Sequence, residues 1–132
     1  MSAVEPIEKA SAAARSVAIV TEASRRIGAG VARQLLSDGW RVALAARSES
    51  GLKDICMEAG ASNAVTVLRD LRDPAFAERL KEETWGYFGR IDALLKIAGD
   101  APQASVLELS DAQWEQTFSL KHFAAQRLTR AV

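Results

Sequence analysis

The feature that most limits the fold is the apolar run Val17-Ala18-Ile19-Val20, followed by a polar turn and then a helical pattern. An unbroken run this short suits a strand buried on both faces, as in the interior of a parallel sheet. After the turn Thr21 to Arg26, Ile27, Val31, Leu35 and Leu36 recur at helical spacing, and Gly39 ends the helix. Strand, tight turn and helix in this order make the first half of a βαβ unit. Such a turn brings free backbone N–H groups and a helix N-terminus to one point, where an anionic phosphate would be stabilised.

The alternation then repeats along the chain. Trp40 to Ala46 reads as a second buried strand, and Glu49 to Ala59 as a helix ended by Gly60. Ala64 to Leu68 reads as a third strand. Asp73 is expected to cap a third helix, with Pro74 in its first turn, running to about Tyr87 before Gly89. Ile91 to Ile97 reads as a fourth strand. Residues 98–109 read mostly as loop, and Ser110 or Asp111 as the cap of a last helix still running at Val132. Strands alternating with helices predict an α/β chain with a doubly wound parallel sheet, because each parallel crossover needs a helix. Residues 1–15, rich in Ala, Ser and Glu, carry Pro6 and no strand pattern, so they are expected to be a flexible arm before a single domain at 16–132.

Composition narrows the function classes. Seventeen basic and seventeen acidic residues cancel, which argues against a nucleic-acid or anionic-membrane surface. No apolar run approaches a membrane span, and residues 1–15 lack the apolar core of a signal peptide, so the cytoplasm is the expected compartment. The single cysteine, Cys56, allows no internal disulfide and reads as a half-buried small apolar residue. His122 is the only histidine, and it has no partner at ligand spacing, so no metal site is expected.

The turn Thr21-Glu22-Ala23-Ser24-Arg25-Arg26-Ile27-Gly28 resembles the Thr-Gly-x-x-x-Gly-x-Gly turn of the short-chain dehydrogenases/reductases. The resemblance runs from Ser16 to Val132 and rests on several landmarks in order. It implies a Rossmann-like sheet with strand order 3-2-1-4 and a dinucleotide held by Thr21, Ser24, Arg25, Arg26, Ile27 and Gly28. Two family glycines are replaced here by Glu22 and Arg26; Gly28 remains, with Gly30 just beyond. The first glycine makes the tight turn and the second lets the backbone approach the pyrophosphate. Glu22 therefore restricts the turn and would repel a phosphate if its carboxylate pointed inward. Arg26 removes the close approach but offers a guanidinium. Weakened dinucleotide binding is expected; the competing reading is a loop that only connects strand to helix.

Four further landmarks follow from the resemblance. The second strand ends Ala45-Ala46-Arg47, with no acid for a ribose 2′-hydroxyl and with Arg47 and Arg25 available to a 2′-phosphate, which points to NADP over NAD. Asp70 and Leu71, after the third strand, match the position that holds the adenine. Ala98 and Gly99 survive from the family's Asn-Asn-Ala-Gly, while Lys96 and Ile97 replace its asparagines. Lys121 stands where a family asparagine kinks the helix and supports a proton relay.

The family's chemistry also needs a serine and a Tyr-x-x-x-Lys. Tyr87, the single tyrosine, is followed four residues later by Ile91 and is expected to pack with Trp85 and Phe88. No catalytic residue is therefore assigned. The expectation is a truncated, cofactor-binding half of an NADP-linked enzyme for carbonyl reduction or alcohol oxidation, inactive alone. The alternative is a non-catalytic Rossmann-like interaction module pairing with a full-length relative. An open fourth strand and Phe118, Phe123 and Leu128 with few partners lead to the expectation that the chain alone self-associates, is marginally stable, or needs a partner that supplies further strands.

Overall fold

Val17–Thr21 is buried at every position and forms strand β1, which lies inside a four-stranded sheet. The computed structural model describes residues 15–132 apart from 25, 61, 71 and 98–103; residues 1–14 of the expected arm lie outside it. Helix α1 (Arg26–Ser37) leads to β2 (Arg41–Ala46), α2 (Leu52–Ala59), β3 (Ala64–Leu68), α3 (Phe76–Phe88) and β4 (Ala93–Leu95). Helix α4 (Asp111–Phe118) then passes through a π turn at Ser119–Phe123 into α5 (Ala124–Ala131).

All pairings are parallel and the strand order is β3-β2-β1-β4. Ile19 stands opposite Ala43 on one side and Leu94 on the other, so β1 is hydrogen-bonded along both edges. Alternate residues of the inner strands feed two separate cores. Val17, Ile19, Ala43, Ala45 and Val67 pack with Phe76, Leu80 and Phe88 of α3 and Leu128 of α5. Val20, Val42, Leu44 and Ala64 pack with Ala29 and Ala32 of α1 and Leu52 and Ile55 of α2. Because both faces are covered, the inner strands read as continuous apolar runs rather than as alternating ones. This is the doubly wound Rossmann-like arrangement expected from the sequence.

Several boundaries and packing assignments need correction. β4 spans three residues, not seven, and pairs with β1 alone among the described residues. Its expected first turn of chain is used otherwise: Arg90 and Asp92 form an ion pair of 2.8 Å, and the Asp92 carboxylate accepts the Val17 N–H at 2.8 Å. α3 begins at Phe76; Asp73 instead accepts the Ala75 N–H at 3.0 Å in the turn before it. The buried stripe of α3 is Phe76, Ala77, Leu80, Thr84 and Phe88, which leaves Trp85 and Tyr87 off the core and about half exposed. Leu128 is buried, whereas Phe118 and Phe123 are exposed. Ile27, counted with the apolar face of α1, is also exposed. Ser110 does cap α4, in a capping box with Gln113.

Asp92 makes the start of β1 sensitive to acid. The hydrogen bonds from Arg90 and then from the Val17 N–H hold its carboxyl below the ordinary carboxylate range. A carboxyl whose folded pKa lies below its unfolded value contributes stability in full above the unfolded value. That contribution is lost as pH falls through the folded value. Asp92→Asn is therefore expected to cost about 1 kcal/mol at neutral pH and to flatten the loss of stability below about pH 4. Urea unfolding curves at pH 7 and pH 3.5 check this: an equal deficit at both would reject the charge as the cause.

Candidate functional site

In a parallel sheet all strands end on one edge, so the segments after β1, β2, β3 and β4 emerge together. β1 leads to β2 and β3 on one side and has β4 on the other. Between β1 and β4 the winding reverses, and sheets of this kind bind ligands outside the strand ends at such a point. Thr21 fixes that junction. Its hydroxyl accepts the Ile97 N–H at 2.8 Å and lies 3.4 Å from the Leu95 carbonyl oxygen, and the residue is 1% exposed. A buried, committed hydroxyl holds the β1 and β4 ends together.

The turn after β1 is held on both sides. The Ala23 N–H donates to the Ala45 carbonyl at 3.2 Å, which ties the turn to the end of β2. Glu22 and Arg26 both have φ of 53°, the left-handed region that L residues with a Cβ enter at a cost. These are two of the three positions where the turn motif calls for glycine, so the backbone keeps the glycine conformation without the glycines. Gly28 is buried in α1, and a Cβ there would stand 2.0 Å from the Glu22 carbonyl oxygen. Before α2, Gly51 has φ of 81°, and a Cβ on it would stand 2.2 Å from the Ser24 carbonyl oxygen. Helices α1 and α2 thus close on the turn from two directions.

Beside the turn lies a cavity of about 210 Å³ lined by Glu22, Ser24, Arg47, Ser48 and Ser50. It brings together the β1–α1 turn and the segment after β2. Among the described residues the lining carries one carboxylate, one guanidinium and three hydroxyls, a donor-rich set matched to a sugar or phosphate rather than to an apolar group. Its size suits one sugar–phosphate unit, not a whole dinucleotide.

Asp70 follows β3 at the same edge. Arg72 donates to its carboxylate from Nη2 at 2.6 Å and from the backbone N–H at 2.9 Å. Those hydrogen bonds, opposed by burial and helped by the charge of Arg47, hold the Asp70 carboxyl below the usual range. Asp70 is therefore an ionised acceptor whose orientation is set by Arg72.

Of the residues singled out in the sequence, the structure brings Ser24 and Arg47 into one cavity and Asp70 to the same edge. Sequence reasoning missed Ser48, Ser50 and Arg72. The polar run Arg47-Ser48-Glu49-Ser50 directly after an apolar strand was the available signal for the serines. Arg26 and Ile27 open α1 and are exposed, but neither lines the cavity. Arg25, Leu71, Ala98 and Gly99 lie outside the described residues.

Lys96 does not turn to the strand-end edge by any described contact; its ammonium donates to the Thr129 hydroxyl of α5 at 2.8 Å. Lys121 sits at the centre of the π turn, so the helix is deformed where the resemblance placed a kink. Burial pushes the Cys56 thiol pKa up, away from a reactive thiolate. Among the described residues no three His, Cys, Asp or Glu side chains come together as a metal set. Among the same residues no helix is long and apolar enough to cross a membrane.

Residues 16–132 match a family model described as short chain dehydrogenase. The chain is 33% identical over 116 residues to 3-oxoacyl-[acyl-carrier-protein] reductase of Salmonella typhimurium, covering 88% of this chain and 47% of the relative. It is 30% identical over 118 residues to 2,3-dihydro-2,3-dihydroxybenzoate dehydrogenase of Bacillus subtilis, covering 88% of this chain and 45% of that protein. A short-chain dehydrogenase from Streptomyces avermitilis is similar in structure, with a TM-score of 0.83 and 27% identity over 89% of this chain and 42% of that one. The chain spans about half the length of the curated relatives it matches.

Proposed function

The chain belongs to the short chain dehydrogenase family, and from that premise we propose that residues 16–132 bind the adenosine and pyrophosphate end of an NADP cofactor. The parent reaction is carbonyl reduction or alcohol oxidation. The observation that carries the reading is the cavity in which Arg47 meets the hydroxyls of Ser24, Ser48 and Ser50 just beyond the ends of β1 and β2. The donor set fits a phosphorylated ribose: a guanidinium for the 2′-phosphate and hydroxyls for its oxygens, with no acid at the end of β2.

Each remaining residue has a role that follows from its position. The turn at 21–28 presents backbone N–H groups at the first turn of α1 to the pyrophosphate, with Thr21 and Gly28 holding its shape. Arg25 and Arg26 add positive charge to the same turn. Asp70, ionised and oriented by Arg72, accepts from the adenine amino group, and the family resemblance assigns Leu71 to the same group. The family resemblance assigns Ala98 and Gly99, two small residues, to the ribose. The cofactor supplies a hydride donor or acceptor for a carbonyl–alcohol pair. No Tyr-x-x-x-Lys occurs among these residues, so binding rather than turnover is the property assigned to them.

NADPH is expected to bind more tightly than NADH, and Arg47→Ala to weaken NADPH about tenfold while sparing NADH, because a guanidinium–phosphate contact of about 1.4 kcal/mol is lost. Calorimetric titration with both dinucleotides checks this. Tighter binding of NADH, or NADPH affinity indifferent to Arg47, would reject the cofactor assignment.

A further inference from the structure

Glu22 is the one acidic side chain among the five described residues that line the cavity, and it shares that lining with Arg47. No hydrogen bond or ion pair engages its carboxylate among the described residues. Its backbone is held at φ 53°, with the Ala23 N–H tied to Ala45 directly after it, so the side chain is delivered to the cavity by a constrained turn rather than by a free loop. The lining therefore contains opposed charges: one that attracts an anion and one that repels it.

We propose that Glu22 is a specificity-determining residue for the cofactor, acting against the 2′-phosphate. The inference rests on the reading that this cavity receives the adenosine ribose. A ribose 2′-phosphate carries about −1.5 to −2 charges near neutral pH. In a cavity of about 210 Å³ that Glu22 helps to line, the phosphate comes within Coulombic range of the Glu22 carboxylate. A ribose with a free 2′-hydroxyl meets the opposite situation, since the carboxylate accepts a hydrogen bond from it. Arg47 thus sets the preference for NADPH, and Glu22 reduces it. The three serines serve both ligands, because a hydroxyl donates to phosphate and accepts from sugar.

Two substitutions separate this from the strain that Glu22 also carries. Glu22→Gln keeps the left-handed residue and the side-chain volume but removes the charge. Glu22→Gly removes both charge and strain. Calorimetric titration of the full chain and both variants with NADPH and with NADH reads the effect. Glu22→Gln is expected to tighten NADPH about fivefold and to change NADH by less than about twofold, the size of a screened like-charge contact at a half-exposed site.

An equal gain for both dinucleotides in Glu22→Gln would overturn the proposal by placing the carboxylate against the shared pyrophosphate. Unchanged affinities would overturn it by showing that the carboxylate faces no ligand charge. If neither dinucleotide binds the native chain or either variant, the cavity reading itself fails, and the proposal with it. That outcome is distinct from a chain that binds both and ignores Glu22.

Discussion

Gly28→Ala is expected to destabilise the chain by about 3 kcal/mol or more and to abolish dinucleotide binding with it. The added Cβ would stand 2.0 Å from the Glu22 carbonyl oxygen and 2.7 Å from the carbonyl carbon. Both atoms are backbone, so no side-chain rotation relieves the clash. The Glu22 backbone cannot retreat easily, because the Ala23 N–H is bonded to Ala45 and the Thr21 hydroxyl to Ile97. Either α1 lifts from β1, exposing Ala29 and Ala32, or the turn gives up its ties to β2 and β4. Gly30, two residues on, is the control: a Cβ there meets nothing within 4 Å. Gly30→Ala should leave the fold intact and gain slightly from helix propensity. Urea unfolding of both variants checks the pair. Equal stability of Gly28→Ala and the native chain would mean that α1 does not seat on the turn at this distance.

The parts legible in the sequence are those where one physical demand acts alone. β1 and β2 are legible because strands covered on both faces must be apolar throughout, and Val17–Val20 and Val42–Ala46 satisfy that with nothing competing. The edge strand Ala64–Leu68 is legible from its β-branched run between turn signals, although Thr66 is polar and Leu68 is exposed. β4 was read too long because Ile91 and Ile97 are apolar for reasons other than pairing; Ile91 and Ile97 pack against the two cores, while Asp92 between strand and turn binds Arg90 and Val17. Tyr87 is expected to pack with Trp85 and Phe88, and its ring does meet Phe88 edge-on at 5.0 Å, but the helical stripe through Leu80, Thr84 and Phe88 leaves Trp85 and Tyr87 about half exposed. The site divides the same way. Arg47 and Asp70 follow strand ends, so their place was readable from strand order. The company of Ser24 with Ser48 and Ser50 depends on how closely α2 approaches the turn, which no spacing in the sequence encodes. The left-handed backbone at Glu22 and Arg26 was likewise hidden, because the residue types at both positions argue against it.

Replacing both of those residues, Glu22→Gly with Arg26→Gly, is expected to stabilise the chain by about 2 kcal/mol and to tighten dinucleotide binding about tenfold. Each position has φ of 53°. A residue with a Cβ there costs about 1 to 2 kcal/mol over glycine, and the greater freedom of glycine in the unfolded chain returns part of the gain. The affinity gain has separate sources. Removing Glu22 removes a like charge from the cavity, and removing the Arg26 side chain lets a pyrophosphate approach the start of α1. The Arg26 guanidinium opposes the second effect, since it is itself a phosphate donor, so the single variants should differ. Glu22→Gly is expected to gain both stability and affinity, and Arg26→Gly mainly stability. Urea unfolding and calorimetric titration of the two singles and the double give the comparison. Higher stability with unchanged affinity would show that the turn does not meet the phosphates. Unchanged stability would show that contacts of the Glu22 and Arg26 side chains offset the cost of their backbone conformation.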